Sequence, residues 1–145
     1  GPVLENVLEY PGILPNVALL QENAAGTGVV NTAPEVDGLV RRIPMLVRVK
    51  DALYPALALD VLRGLAGDPS YQVKAGEAGI QAVRVPSFET VQTDNVGRVW
   101  VNWNTTIPTN VEGRIVLIGV TAAGITPLVP TPKGLIFSLT LLFQF

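Results

Sequence analysis

Ile115-Val116-Leu117-Ile118 is an apolar run without alternation, and it ends at Gly119. A run with no polar break suits a strand covered on both faces, as in the middle of an α/β sheet. Leading in from Glu112-Gly113, it predicts a central strand over residues 114–121, followed by the small-residue loop Val120-Thr121-Ala122-Ala123-Gly124. Open α/β sheets place ligands beyond such strand ends. Residues 39–50 predict a long strand, because Ile43, Met45, Val47 and Val49 recur with period two. Pro44 within it marks an edge or a bulge. Residues 28–32 read as a short strand, and residues 33–38 as a turn carrying Pro34 and Asp37-Gly38. The two strands then form a hairpin with a loop longer than two residues.

Helical periodicity is clearest after Pro55, which suits a first helical turn because its missing N–H has no partner there. Leu57, Val61, Leu62 and Leu65 follow as an apolar stripe, and Gly67-Asp68-Pro69 ends it. Asn16 can cap a second helix over residues 17–25, closed by Gly26, with Val17, Leu20 and Ala24 on one face. Residues 1–15 read as irregular, punctuated by Pro2, Pro11, Gly12 and Pro15. Short strands are expected at residues 71–73, 80–85 and 88–92, with a turn at 93–97. Val99, Val101 and Trp103 then alternate with Trp100, Asn102 and Asn104, giving a strand with two unlike faces. The pattern as a whole predicts an α/β fold: a mixed sheet with a buried central strand at 115–118 and flanking helices.

Composition changes this picture in one respect. Hydrophobic residues make up 48% of the 145 and charged residues only 15%, against roughly 25% charged in typical soluble domains. That is too apolar for a small domain that covers itself completely, so residues 1–145 are expected to be a fragment of a larger domain or to pack against a partner. The net charge of −2 offers no basic surface for nucleic acid. No apolar run reaches the roughly 18 residues of a membrane span. The longest, residues 135–145, is interrupted by Ser138, Thr140 and Gln144.

Candidate chemistry is sparse. The chain has neither cysteine nor histidine, which excludes disulfides, Ser-His-Asp and Cys-His catalysis, and thiolate or imidazole metal sites. No metal or cofactor is expected. The carboxylates show no paired spacing. Asp37 and Asp94 sit in turn contexts, where a side chain bonds its own backbone. Arg41-Arg42 is weak evidence for anion binding, since adjacent strand residues point to opposite faces. Trp100 or Trp103 can stack on a ligand ring or serve as packing. Thr121, Asn102 and Gly119 are the candidate ligand-binding residues, with an amide and a hydroxyl able to orient a small polar ligand. A tight strand-to-loop transition explains the same glycines.

Gly28-Val29-Val30-Asn31, then Asp37-Gly38-Leu39-Val40-Arg41-Arg42-Ile43-Pro44, Tyr54-Pro55-Ala56-Leu57-Ala58-Leu59, Val101-Asn102, residues 116–124 and Thr131-Pro132 form an ordered set. This set resembles the second type of CHASE domain (cyclase and histidine-kinase associated sensory extracellular). The likeness covers about residues 26–134, and on this resemblance the chain is the C-terminal half of the domain. Asn31, Asp37, Gly38, Arg41, Arg42, Pro55, Gly124, Thr131 and Pro132 match the family pattern, and none carries a known ligand role. The resemblance implies a bacterial extracytoplasmic sensor without catalysis, the periplasmic portion of an inner-membrane receptor anchored by flanking spans. Its output would be an adenylate cyclase, a kinase or a diguanylate cyclase. The expected partners are a small-molecule or protein signal, the rest of the sensor domain, and a second copy in a homodimer. Two rival readings are a structural or dimerisation module and a carboxylate-based enzyme fragment.

Overall fold

The computed structural model describes residues 2–103, 110, 112–113 and 128–137. In chain order the elements are α1 (Pro2–Asn6), β1 (Leu8–Tyr10), α2 (Ala18–Asn23), β2 (Arg42–Pro44), β3 (Leu46–Val49) and β4 (Ala52–Pro55). They continue with α3 (Leu57–Ala66), β5 (Gln72–Gly76), β6 (Gly79–Arg84), β7 (Val91–Gln92), β8 (Arg98–Trp100), β9 (Leu128–Thr131) and β10 (Gly134–Phe137). The architecture is mixed α/β, as expected, and is built of small sheets. The predicted central strand, with Gly119, Thr121 and Gly124, lies outside the described residues.

Two compact units are present, Gly1–Thr32 with Ile43–Val99, and Ala33–Arg42 with Trp100–Phe145. The first holds two three-stranded sheets, β1-β3-β4 and β5-β6-β7. β3 is the middle strand of its sheet. It pairs in parallel with β1, placing Glu9 opposite Arg48, and antiparallel with β4, placing Leu46 opposite Pro55. Arg48 Nη2 donates to Glu9 Oε2 at 2.6 Å, an opposite-charge pair directly across the two strands.

Residues 39–50 do not form one long strand. The ladder breaks at Met45 between β2 and β3, just after the expected irregularity at Pro44. Pro44 has no N–H for a ladder, which is why the chain bends there. Ile43, Met45, Val47 and Val49 are buried as predicted, but so are Pro44 and Leu46. Both sides of this path are therefore covered, and alternation in the sequence marked only one of them.

Helix α3 ends as expected. Gly67 takes a left-handed conformation (φ 66°), its N–H reaches the Arg63 and Gly64 carbonyls, and Asp68 N–H bonds the Arg63 carbonyl. Its start and its face both differ from expectation. Pro55 is the last residue of β4 and is buried, and Ala56 stands at the N-cap. The buried residues are Ala58, Leu59, Asp60 and Leu62, whereas Leu65 is exposed. Rotating the helix this way puts Leu59 and Leu62 into one core with Val7, Met45, Leu46, Ala56, Ile80, Val83 and Val85.

The predicted strand at 28–32 reduces to a single bridge. Val29 pairs in parallel with Ala56, its N–H donating to the Pro55 carbonyl and its carbonyl accepting from Leu57 N–H. The expected hairpin with residues 39–50 is thus replaced by a contact with the start of α3. Glycine makes that approach possible, because a Cβ on Gly28 would collide with the Leu57 backbone. Helix α2 falls inside the predicted 17–25, but Val17, not Asn16, is its N-cap, Ala24 ends it in extended conformation, and no residue of it is buried. Residues 11–15 are irregular as expected, but α1 and β1 form ahead of them. Elements this short lack a periodic signal and exist because they pack, Val7 being buried in the core. Of the strands expected at 88–92 and 99–104, Val91–Gln92 and Arg98–Trp100 are the regular parts among the described residues, and Asn104 lies outside them.

Two predictions follow from this packing. Leu46→Ala removes a fully buried side chain at the middle of the sheet and should cost about 2–5 kcal/mol in denaturant unfolding. A loss below 1 kcal/mol would show that the β3 core is not close-packed. Gly28→Ala should destabilise by about 1–3 kcal/mol through backbone collision. Gly64→Ala, on the exposed side of α3 with open space around it, should instead stabilise by about 0.5–1 kcal/mol. Melting curves in which both variants shift in the same direction would contradict the Gly28 contact.

Candidate functional site

In the second unit, residues 33–42 fold into a loop closed on itself. Gly38 N–H bonds the Glu35 carbonyl at 2.8 Å, and Glu35 N–H bonds the Leu39 carbonyl at 2.9 Å. Gly38 sits at φ 80°, a region that a side chain disfavours. Asp37 holds the turn from within, its Oδ1 accepting from Leu39 N–H at 3.1 Å. The turn reading of Asp37-Gly38 therefore describes its local geometry.

Asp37 does more than close its own turn. Arg41 grips it with both terminal guanidinium nitrogens, Nη1 to Oδ1 at 3.0 Å and Nη2 to Oδ2 at 2.7 Å. Such a fork is the strong, geometrically specific form of an ion pair. The Arg41 bond, then the Leu39 N–H, hold the Asp37 carboxyl down at about 2. The same bond raises the Arg41 guanidinium.

Arg41 and Arg42 do not diverge as adjacent strand residues would. Arg41 precedes β2, and both side chains turn to one carboxylate. Arg42 Nε donates to Glu35 Oε1 at 2.8 Å, and Arg41 Nη1 lies 3.8 Å from Glu35 Oε2. The Arg42 guanidinium also lies over the Trp100 ring, 5.0 Å from its centroid, a cation–π arrangement. The chain thus links Asp37, Arg41, Glu35, Arg42 and Trp100 in one sequence of contacts. Val101 N–H to the Arg41 carbonyl (2.9 Å) and Val40 N–H to the Pro130 carbonyl (2.8 Å) fasten the loop backbone to its neighbours.

The family-pattern positions divide accordingly. Asp37, Gly38, Arg41 and Arg42 come together in this loop. Thr131 and Pro132 form the β9–β10 turn, where buried Thr131 donates its hydroxyl to the Gly134 carbonyl at 2.8 Å and accepts from Lys133 N–H at 3.2 Å. Pro55 and the exposed Asn31 belong to the other unit. Among the candidate ligand residues, Asn102 is exposed, while Thr121 and Gly119 lie outside the described residues. Sequence reading assigned Glu35 no partner. Its spacing from Arg42, seven residues, matches no local rule, and only the folded loop brings the two together.

A second acidic turn, in the first unit, repeats the device. Asp94 Oδ1 accepts from Val96 N–H at 3.2 Å and from Arg98 N–H at 2.8 Å, and Arg98 Nε donates to Oδ2 at 2.8 Å. Burial works to raise the Asp94 carboxyl, but the Arg98 bonds and the Val96 N–H outweigh it, and the net shift is downward. Among the described residues no cluster of acidic side chains is arranged to hold a metal ion, and no helix is long and apolar enough to cross a membrane.

The family model for the CHASE2 domain matches residues 2–143. The chain belongs to the CHASE2 domain family. CHASE2 domains are extracellular sensory domains of signalling receptors. The match extends the resemblance at both ends, taking in α1 and β1 as well as the motif-bearing middle. No curated protein and no solved structure shows significant similarity to this CHASE2 domain.

The Asp37 brace has a pH signature. A carboxyl that titrates near 2 when folded and at 3.8 in a free chain stabilises the fold fully above about pH 4. That contribution is lost as pH falls through about 2. NMR titration should place the Asp37 carboxyl at about 2, and Asp37→Asn should flatten the acid limb of stability. An Asp37 that titrates at 3.8 would remove the brace from the account.

Proposed function

We propose that this CHASE2 domain is the signal-receiving part of a bacterial transmembrane receptor and acts without catalysis. In this reading residues 1–145 are part of one periplasmic domain, completed by the rest of the sensor domain and anchored by flanking spans in the inner membrane. The cytoplasmic output is an adenylate cyclase, a protein kinase or a diguanylate cyclase. Family membership supports the sensory role.

The observation that carries the mechanism is the braced loop. Four family-pattern residues, Asp37, Gly38, Arg41 and Arg42, are committed to internal bonds that fix one backbone shape. A carboxylate held this way by a guanidinium is a poor general base, since its proton affinity is lowered. It is a good latch. A ligand or partner that competes for Arg41 or Arg42 alters the loop by exchanging one set of charge-assisted bonds for another, which is how local switches shift populations. Asn102, with Thr121 and Gly119, is proposed as the ligand-facing set.

The test uses the full-length receptor with its own output domain. Gly38→Val forces a side chain into φ 80°, and Asp37→Ala deletes the latch. Each should change basal output by about fivefold or more at unchanged receptor abundance in the membrane. Output equal to that of the wild type in both variants would overturn the latch.

A further inference from the structure

Trp100 is 70% exposed. An indole normally contributes roughly 150–250 Å² of burial to a core or an interface, so a ring left in water calls for a reason. This ring is not loose. The Arg42 guanidinium stacks on it, Glu35 holds Arg42, and Glu35 also faces Arg41, which is locked to Asp37. With a cation on one face and most of the ring in solvent, the open area is the opposite face and the ring edge.

The surroundings narrow what can sit there. Glu35 and Asp37 balance Arg41 and Arg42 within the same unit. The cluster is rich in hydrogen-bonding groups but offers an ion no net attraction. Val101 N–H bonds the Arg41 carbonyl and extends the strand direction of β8. Asn102, two residues beyond Trp100, is exposed as well. An amide supplies both donors and an acceptor. A fixed aromatic face, a neutralised charge rim and an amide match a neutral ring with an apolar face and a hydroxylated edge.

We infer that the Trp100 face of this CHASE2 domain is a carbohydrate-binding platform. One sugar ring stacks its C–H face on the indole, and its hydroxyls reach the Asn102 amide and the polar rim. The brace on Arg42 preorganises the ring, so little freedom is lost on binding. This inference rests on the sensory reading above and names the ligand class for it.

The experiment presents the chain to an array of neutral oligosaccharides. Bound glycans are then titrated by fluorescence, the reporters being Trp100 and Trp103. Wild type should bind at least one neutral glycan. Trp100→Ala should weaken that binding by roughly tenfold or more with an unchanged melting temperature, since the ring is mostly exposed. Trp100→Phe should retain part of the affinity, which separates lost stacking from misfolding, and Asn102→Ala should weaken binding further. Benzoate and a phosphorylated sugar serve as the aromatic and anionic arms. Absence of any neutral glycan binding, binding that Trp100→Ala leaves unchanged, or binding of benzoate or the phosphorylated sugar alone would each overturn the platform. Glycan binding by the chain together with a receptor output indifferent to Gly38→Val and Asp37→Ala would sink the latch and leave the platform standing.

Discussion

Strand β3 is covered on both faces at Leu46 and Val47. Leu46 and Val47 point to opposite faces, and both are fully buried, so the segment that carries them must be covered twice. The parallel pairing with β1 and the antiparallel pairing with β4 satisfy its backbone, and Leu59 and Leu62 of α3 share the core with Leu46. Much of the first unit is arranged to meet that requirement. The two-residue turn between β3 and β4 even places Lys50 at φ 55°, a conformation that costs a non-glycine residue on the order of 1 kcal/mol. The register it preserves is the one that puts Leu46 opposite Pro55.

The helix is fitted to the sheet by similar compromises. Asp60 is a buried charge on the covered side of α3, tolerated because Arg63 Nε donates to it at 2.7 Å. A buried carboxylate without such a partner would cost several kcal/mol. The chain passing Gly26 runs so close that a Cβ would collide with the Asp60 carboxylate. Gly28, whose neighbours are backbone atoms, is needed for approach, not for turning. Burial of Tyr71, with the Asp60 charge adding to it, raises the phenol, in keeping with a tight polar seam along this helix.

In the 33–42 loop of the second unit, charge pairs act beside a fully buried Val40. The 33–42 loop is held by one bidentate ion pair, one shared carboxylate and a turn glycine. The Asp94–Arg98 turn of the first unit is held by a single Nε–carboxylate bond beside backbone N–H bonds. In both, an aspartate accepts backbone N–H groups and pairs with an arginine four residues on. Such a module rigidifies a loop whose tip, Asp37 and Gly38, is exposed.

What the sequence determined by itself was local. The α3 body and its Gly67 stop, the β6 strand, the period-two burial of Ile43, Met45, Val47 and Val49, and the Asp37 and Asp94 turns all follow from patterns within a few residues. Their causes, side-chain period and turn hydrogen bonding, act over that same short range. The family resemblance was legible too, because it rests on the order of such local motifs. The tertiary structure alone decided which face of α3 is buried, that Val29 pairs with Ala56, that β1 joins β3, and that Glu35, Arg42 and Trp100 meet. Each of those contacts joins residues whose separation is set by where the core closes. A helix stripe with two near-equal apolar faces, or a carboxylate seven residues from its arginine, carries no signal until packing chooses between the alternatives.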